Sequence, residues 1–167
     1  MTTETATRTV VVGLGEWTVS DDPNATLVCL GLGSCVALCA YDPVARVGGM
    51  AHFVLPRSAD GRNNGPGAKF VDTGIPLLLS EMERRGAARS RIVLKIVGGA
   101  RMITTPGLNA ALNIGDRNVE SARETLKALG LRIAAEDTGG AHGRTVRLDV
   151  RTGELTVSAA GQPGRPL

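Results

Sequence analysis

A chain of 167 residues, 43% hydrophobic and 21% charged, has the composition of a globular protein with one main core, and is too apolar to be disordered. Aromatic residues make up only 2%, and the formal net charge of +3 comes from scattered arginines, so neither a base-stacking platform nor a phosphate-tracking stripe is available and no nucleic-acid partner is expected. No apolar run is long enough to span a bilayer and the opening MTTETATRTV lacks the apolar stretch of a signal peptide, which predicts a cytoplasmic protein with no membrane insertion.

No linker divides the chain, so one domain over 1–167 is expected, with frayed polar or Gly/Pro-rich tails at 1–8 and 159–167. The first clear strand covers 26–30 and runs into a Gly-Leu-Gly-Ser turn at 31–34. A second strand covers 35–41. Asp42-Pro43 opens a turn, and a third strand covers 47–55 and stops at Pro56. The stretch RSADGRNNGPGA, 57–68, reads as a surface loop suited to a flap or a partner contact. A helix is predicted from Thr73 as N-cap, with Pro76 in its first turn and Gly86 at its end; Ile75, Leu78, Leu79 and Met82 form its core face. A strand at 92–97 closes on Gly98-Gly99. A second helix is predicted over 117–129, capped by Asp116, with Val119, Ala122, Leu126 and Leu129 on one face and Gly130 as its stop. Strands follow at 132–136, 145–150 and 154–157. Strands outnumber helices and join through short turns, which indicates an α+β fold with mixed sheets.

The chemistry-bearing segment is CLGLGSCVALCAYDPVARVGGMAHFVLP, 29–56, which holds all three cysteines. An odd, clustered set in a reducing compartment points to thiol chemistry or a metal before a disulfide framework. Cys35 follows the Gly-rich turn, where exposed N–H groups can form an oxyanion hole around Gly33 and Ser34. Its thiol needs a base, and an imidazole can supply one. With the hairpin turn centred near Val44, Cys35 lies almost opposite His52; a slip of one residue would send the ring to the other face. The other histidine, His142, sits in a Gly-rich loop. Against this stands the ordinary fate of a strand cysteine as a small core hydrophobe, which is the reading for Cys39. Zinc bound by Cys29, Cys35, Cys39 and His52 is a further alternative, but the spacing lacks the tight knuckle usual for zinc. GLGS and VGGAR match neither a Walker A loop nor a dinucleotide fingerprint. Asp137 and Arg144 are expected to form a structural ion pair, and Asn118 to act as a cap or a backbone staple near the site.

Six segments, in order, resemble the CheD family of chemoreceptor glutamine deamidases: GLGSCVAL, VGGMAHFVLP, KFVDTGIPLLLSEM, KIVGGARM, IGDRNV and DTGGAHGRTVRLDVRTGEL. They span about 26–157. The resemblance implies that Cys35 is the nucleophile and His52 its catalytic partner, with oxyanion donors near Ser34 and Cys35 and Gly99 near the substrate. The family's catalytic threonine falls on Cys29, and its KYVD segment reads Lys69-Phe70-Val71-Asp72. The implied fold is two packed mixed β-sheets flanked by helices in α/β/β/α layers, similar to the catalytic domains of deamidating toxins. The implied reaction is conversion of Gln side chains on methyl-accepting chemoreceptor helices to Glu in bacterial chemotaxis, without metal or organic cofactor. A CheC-type phosphatase is an implied partner. Competing readings are a cysteine amidohydrolase for a small amide, and a non-catalytic adaptor that binds chemoreceptors or the phosphatase.

Overall fold

The computed structural model describes residues 6–59, 67–102 and 113–167. The elements run β1 (Arg8–Val11), β2 (Trp17–Ser20), β3 (Ala25–Leu32), β4 (Val36–Asp42), β5 (Val47–Phe53), α1 (Val71–Arg84), β6 (Val93–Gly98), α2 (Ile114–Ala128), β7 (Ile133–Thr138), β8 (Arg144–Asp149), β9 (Leu155–Ala159) and β10 (Arg165–Pro166). They build two five-stranded sheets, ordered β1-β3-β8-β9-β10 and β2-β5-β4-β6-β7. Each is mixed: β1 runs parallel to β3 and β6 parallel to β7, while their other pairings are antiparallel. The architecture is α+β, as the pattern of elements indicates.

The two central strands of the second sheet explain their own composition. Every residue of β4 and β5 is buried, because both faces are covered. Val36, Leu38, Ala40, Ala51 and Phe53 face the helices, where Ile75, Leu78, Leu79 and Met82 of α1 and Val119, Ala122 and Leu126 of α2 join them. Ala37, Cys39 and Met50 face the first sheet and pack on Leu27, Cys29, Val146, Leu148, Leu155 and Val157. Both helices therefore cover the same face of the second sheet. The described layers run sheet, sheet, helices, and no helix among the described residues covers the first sheet, in place of the α/β/β/α order. The outward positions of the first sheet include Thr26, Arg147, Thr156 and Ser158, which tolerate water and need no cover.

Several boundaries differ from the sequence reading for tertiary reasons. Helix α1 begins at Val71, and Phe70 at the cap position makes no side-chain bond. The chain itself supplies the cap: Val71 N–H donates to Leu55 O at 2.9 Å, beside a bridge between Leu55 and Phe70. Thr73 is thus inside the helix, its buried hydroxyl without a partner among the described residues, and Pro76 lies within the helix as well. Helix α2 begins at Ile114 because Asn113, not Asp116, is its cap; Asp116 N–H donates to the Asn113 side chain at 3.4 Å. Strands β1 and β2 precede the first one expected. Of the loop at 57–68, residues 60–66 lie outside the described residues; Ser58 N–H donates to Asp72 Oδ1 at 3.0 Å.

The hairpin register sets the site. Asp42 pairs with Val47, and residues 43–46 form the connection. Asp42 Oδ1 accepts the N–H groups of Val44 and Ala45 at 2.9 and 3.1 Å, a turn that lengthens the loop and moves its centre past Val44. As a result Ala37, not Cys35, stands opposite His52. Cys35 lies two residues further along on the same face, in the diagonal position where Cα atoms are typically about 7–8 Å apart.

Candidate functional site

The site forms where β3 enters β4. A bulge in β3 inserts residues between the pairs Cys29–Val146 and Leu32–Arg144. It turns both Cys29 and Leu32 inward, and both are fully buried. Gly31 adopts a φ of 58° to make the bend. The chain then passes through Gly33 and Ser34 to Cys35, which is half-buried just ahead of β4.

Three consecutive carbonyls of this bend are tied inward. Gly33 O accepts from Ala100 N–H at 2.9 Å, and Cys35 O from Gly99 N–H at 2.8 Å. Ser34 O accepts from Asn118 Nδ2 at 2.9 Å, and the same amide nitrogen reaches Val54 O at 3.0 Å. In a trans peptide the C=O and the following N–H point opposite ways. Tying Gly33 O and Ser34 O to the protein thus turns the Ser34 and Cys35 N–H groups away from it. Among the described residues, the N–H groups of Gly33, Ser34 and Cys35 donate to no backbone or side-chain acceptor. The strap behind the bend demands glycine. A Cβ on Gly98 would stand 2.3 Å from Cys35 O, and one on Gly99 would stand 2.3 Å from Val119 Cγ2. Gly99 is thus a support behind Cys35, with its N–H already engaged.

His52 is only 4% exposed, on the face of β5 that meets the first sheet. Its Nδ1 lies 3.0 Å from Val12 O. A carbonyl only accepts, so Nδ1 carries a proton, and in the neutral ring Nε2 is left with its lone pair. Nε2 is buried and has no hydrogen-bond partner among the described residues, so no hydrogen bond joins it to Cys35 Sγ in this structure. The main chain of His52 is held on both sides, by Gly15 N–H to His52 O and by His52 N–H to Glu16 O, each at 2.9 Å.

The three thiols are free. Burial, with a smaller contribution from the neighbouring Cys35, pushes Cys29 up to about 12. Burial likewise pushes Cys39 well up and raises Cys35. The Cys35 thiol is therefore protonated at neutral pH until a base takes its proton. Cys29 faces the same interior as Cys35, while the partner that orients the His52 ring at Nδ1 is a backbone carbonyl. Among the described residues no group of three or more His, Cys, Asp or Glu side chains is placed to hold a metal ion. Asp137 and Arg144 form the expected ion pair, with Nε 3.1 Å from Oδ1.

Sequence reasoning assigned no role to the carbonyl of Val12, since a backbone acceptor leaves no letter. Asn118 carried a signal, an Asn in the first turn of a helix.

A family model described as CheD chemotactic sensory transduction matches residues 54–159. Symbiobacterium thermophilum has a relative named probable chemoreceptor glutamine deamidase CheD, 47% identical over 93% of this chain and 94% of that one. The Thermotoga maritima protein named chemoreceptor glutamine deamidase CheD is 46% identical over 90% of this chain and 92% of its own. Among solved structures, the Bacillus licheniformis hypothetical protein YfiH superposes with a TM-score of 0.46 and 18% identity, covering 81% of this chain and 61% of that one. The chain belongs to the CheD family.

Proposed function

We propose that this protein is a protein-glutamine deamidase acting on chemoreceptors, with Cys35 as nucleophile and His52 as the proton carrier. The observation that carries the reading is the bend at 33–35: a thiol whose flanking N–H groups turn outward, on the same face as, and diagonal to, an imidazole whose Nε2 has no partner among the described residues. His52 Nε2 takes the Cys35 proton as the thiol swings toward it. The thiolate attacks the Gln side-chain carbonyl carbon, and the Ser34 and Cys35 N–H groups receive the resulting oxyanion. The imidazolium returns its proton to the leaving nitrogen, ammonia departs, and a thioester remains. The same ring then removes a proton from water, which attacks the thioester and releases Glu and the thiol.

The rim of the site supports a macromolecular substrate over a small amide. Leu14, Leu30 and Met102 are each more than half exposed. Of these, the Met102 side chain lies against Gly33 in the bend before Cys35. An exposed apolar side chain lying against the bend before Cys35, as Met102 does, suits the apolar face of a helix. Free thiols suit a reducing compartment, in keeping with action in the cytoplasm.

The test is mass spectrometry of chemoreceptor fragments incubated with the protein. Conversion of specific Gln residues to Glu, about one mass unit each as the amide becomes an acid, is expected. Release of ammonia from free glutamine but not from receptors would favour a small-amide hydrolase. Receptor binding without conversion would favour an adaptor.

A further inference from the structure

If the ring of His52 is to accept a proton at Nε2, something must keep the other proton on Nδ1. The acceptor there is Val12 O, at 3.0 Å. That oxygen belongs to the Val12–Gly13 peptide group, whose N–H points the opposite way. The Gly13 N–H donates to Glu16 Oε2 at 2.9 Å. A single hydrogen-bonded line therefore runs from the Glu16 carboxylate through one rigid peptide plane to the imidazole.

The surroundings are built around this line. Val12 N–H is fixed to Val28 O at 2.8 Å, and Glu16 N–H returns to Gly13 O at 3.0 Å. A Cβ on Gly13 would stand 3.1 Å from Glu16 Oε2, so glycine leaves room for the carboxylate to fold over its own turn. A carboxylate that bonds an imidazole directly fixes its tautomer and supports the cation that forms. Here the carboxylate stands one peptide group further off, and a chain of hydrogen bonds polarises along its length.

We infer that Glu16 is a positioning residue for His52: by accepting the Gly13 N–H it aims the Val12 carbonyl at Nδ1 and holds the ring in the Nδ1–H tautomer. The inference rests on the reading of His52 as the proton carrier. Glu16 is exposed, so its replacement opens no cavity in the core.

The experiment is NMR on protein labelled with ¹⁵N-histidine, comparing wild type, Glu16→Ala and Glu16→Gln, with His142 as the internal control. In the wild type the neutral His52 ring shows protonated Nδ1 and bare Nε2. In Glu16→Ala the Nε2–H tautomer gains a comparable population. Glu16→Gln restores the wild-type pattern, because its amide oxygen accepts the same N–H. Deamidation follows the ring: kcat falls roughly tenfold in Glu16→Ala at unchanged KM, and stays within about twofold in Glu16→Gln. An unchanged tautomer in Glu16→Ala, or a Gln variant that behaves like the Ala variant, overturns the inference. A wild type that converts no receptor Gln would defeat the deamidase reading instead, and the NMR result would still decide the role of Glu16.

Discussion

Replacing Asn118 with Ala tests the support of the bend that leads into Cys35. The amide nitrogen holds Ser34 O and Val54 O at 2.9 and 3.0 Å from a fully buried position on α2. Ala leaves both carbonyls without a donor, at about 1–3 kcal/mol each. Part of that loss is offset, because Asn118 Oδ1 is itself buried without a partner among the described residues and disappears with the side chain. The balance is a destabilisation of about 1–3 kcal/mol, or roughly 2–12 °C in Tm for a chain of this size. Turnover should fall further than stability explains. Ser34 O and the Cys35 N–H share one peptide plane, so freeing the oxygen lets the N–H rotate away from the oxyanion. Loss of an oxyanion donor costs about 10²–10³ in kcat, and a loosened one should cost roughly ten- to a hundredfold, with KM little changed. Asn118→Asp should be worse than Ala, since it presents oxygen to two carbonyl oxygens. Thermal melts, urea titrations and receptor deamidation assays measure all three effects. An Ala variant that melts with the wild type and turns over at its rate would refute the stapled bend.

Other expectations follow from the same geometry. Cys35→Ala should abolish Gln-to-Glu conversion while shifting stability by less than about 1 kcal/mol, because the side chain is small and half-buried; His52→Ala should do the same to turnover and slow alkylation of Cys35 at neutral pH. Burial raises the Cys35 thiol, so its alkylation should keep accelerating past the ordinary thiol range of about 8.5, while Cys29 and Cys39 react only after urea unfolding. Labelling of all three in the native state would contradict the burial described. Asp42 is fully buried. Burial alone would raise its carboxyl, but Arg91 and the N–H groups of Ala88, Ala45 and Val44 outweigh this and hold it at about 2. Its folded value lies below the unfolded value of about 4, so its contribution is complete above that pH and is lost as pH falls toward the folded value. The urea midpoint should therefore drop between about pH 4 and 2, and Asp42→Asn should flatten that part of the profile.

The hairpin around the site was legible because β4 and β5 are unbroken apolar runs on either side of an Asp-Pro turn. The bend at 33–35 was legible because glycine marks it. What escaped was whatever depends on contacts distant in sequence. The register of the hairpin hinged on how Asp42 folds its side chain into the turn, which shifted Cys35 from opposite His52 to diagonal. The start of α1 hinged on Leu55 O, which no helix signal near Thr73 encodes. Asn118 reaches a carbonyl 84 positions away in the chain. The resemblance drew attention to Cys29 through the family's threonine, yet the group that bonds the ring at Nδ1 is the main chain at Val12, in a short segment with no catalytic letter.

That segment also crosses between layers. β1 lies in the first sheet, β2 in the second and β3 in the first again, so 12–16 is a strut from one sheet to the other. His52 rides on the second sheet, while the oxygen that aims it hangs from the strut beside Val28 of the first. A slide of one sheet over the other by a fraction of a hydrogen-bond length would reach the imidazole before it disturbed any strand pairing. Fused partners, surface tethers or a trimmed front end could therefore detune the enzyme while leaving every reacting side chain in the chain, and a variant library screened for folding alone would miss that loss.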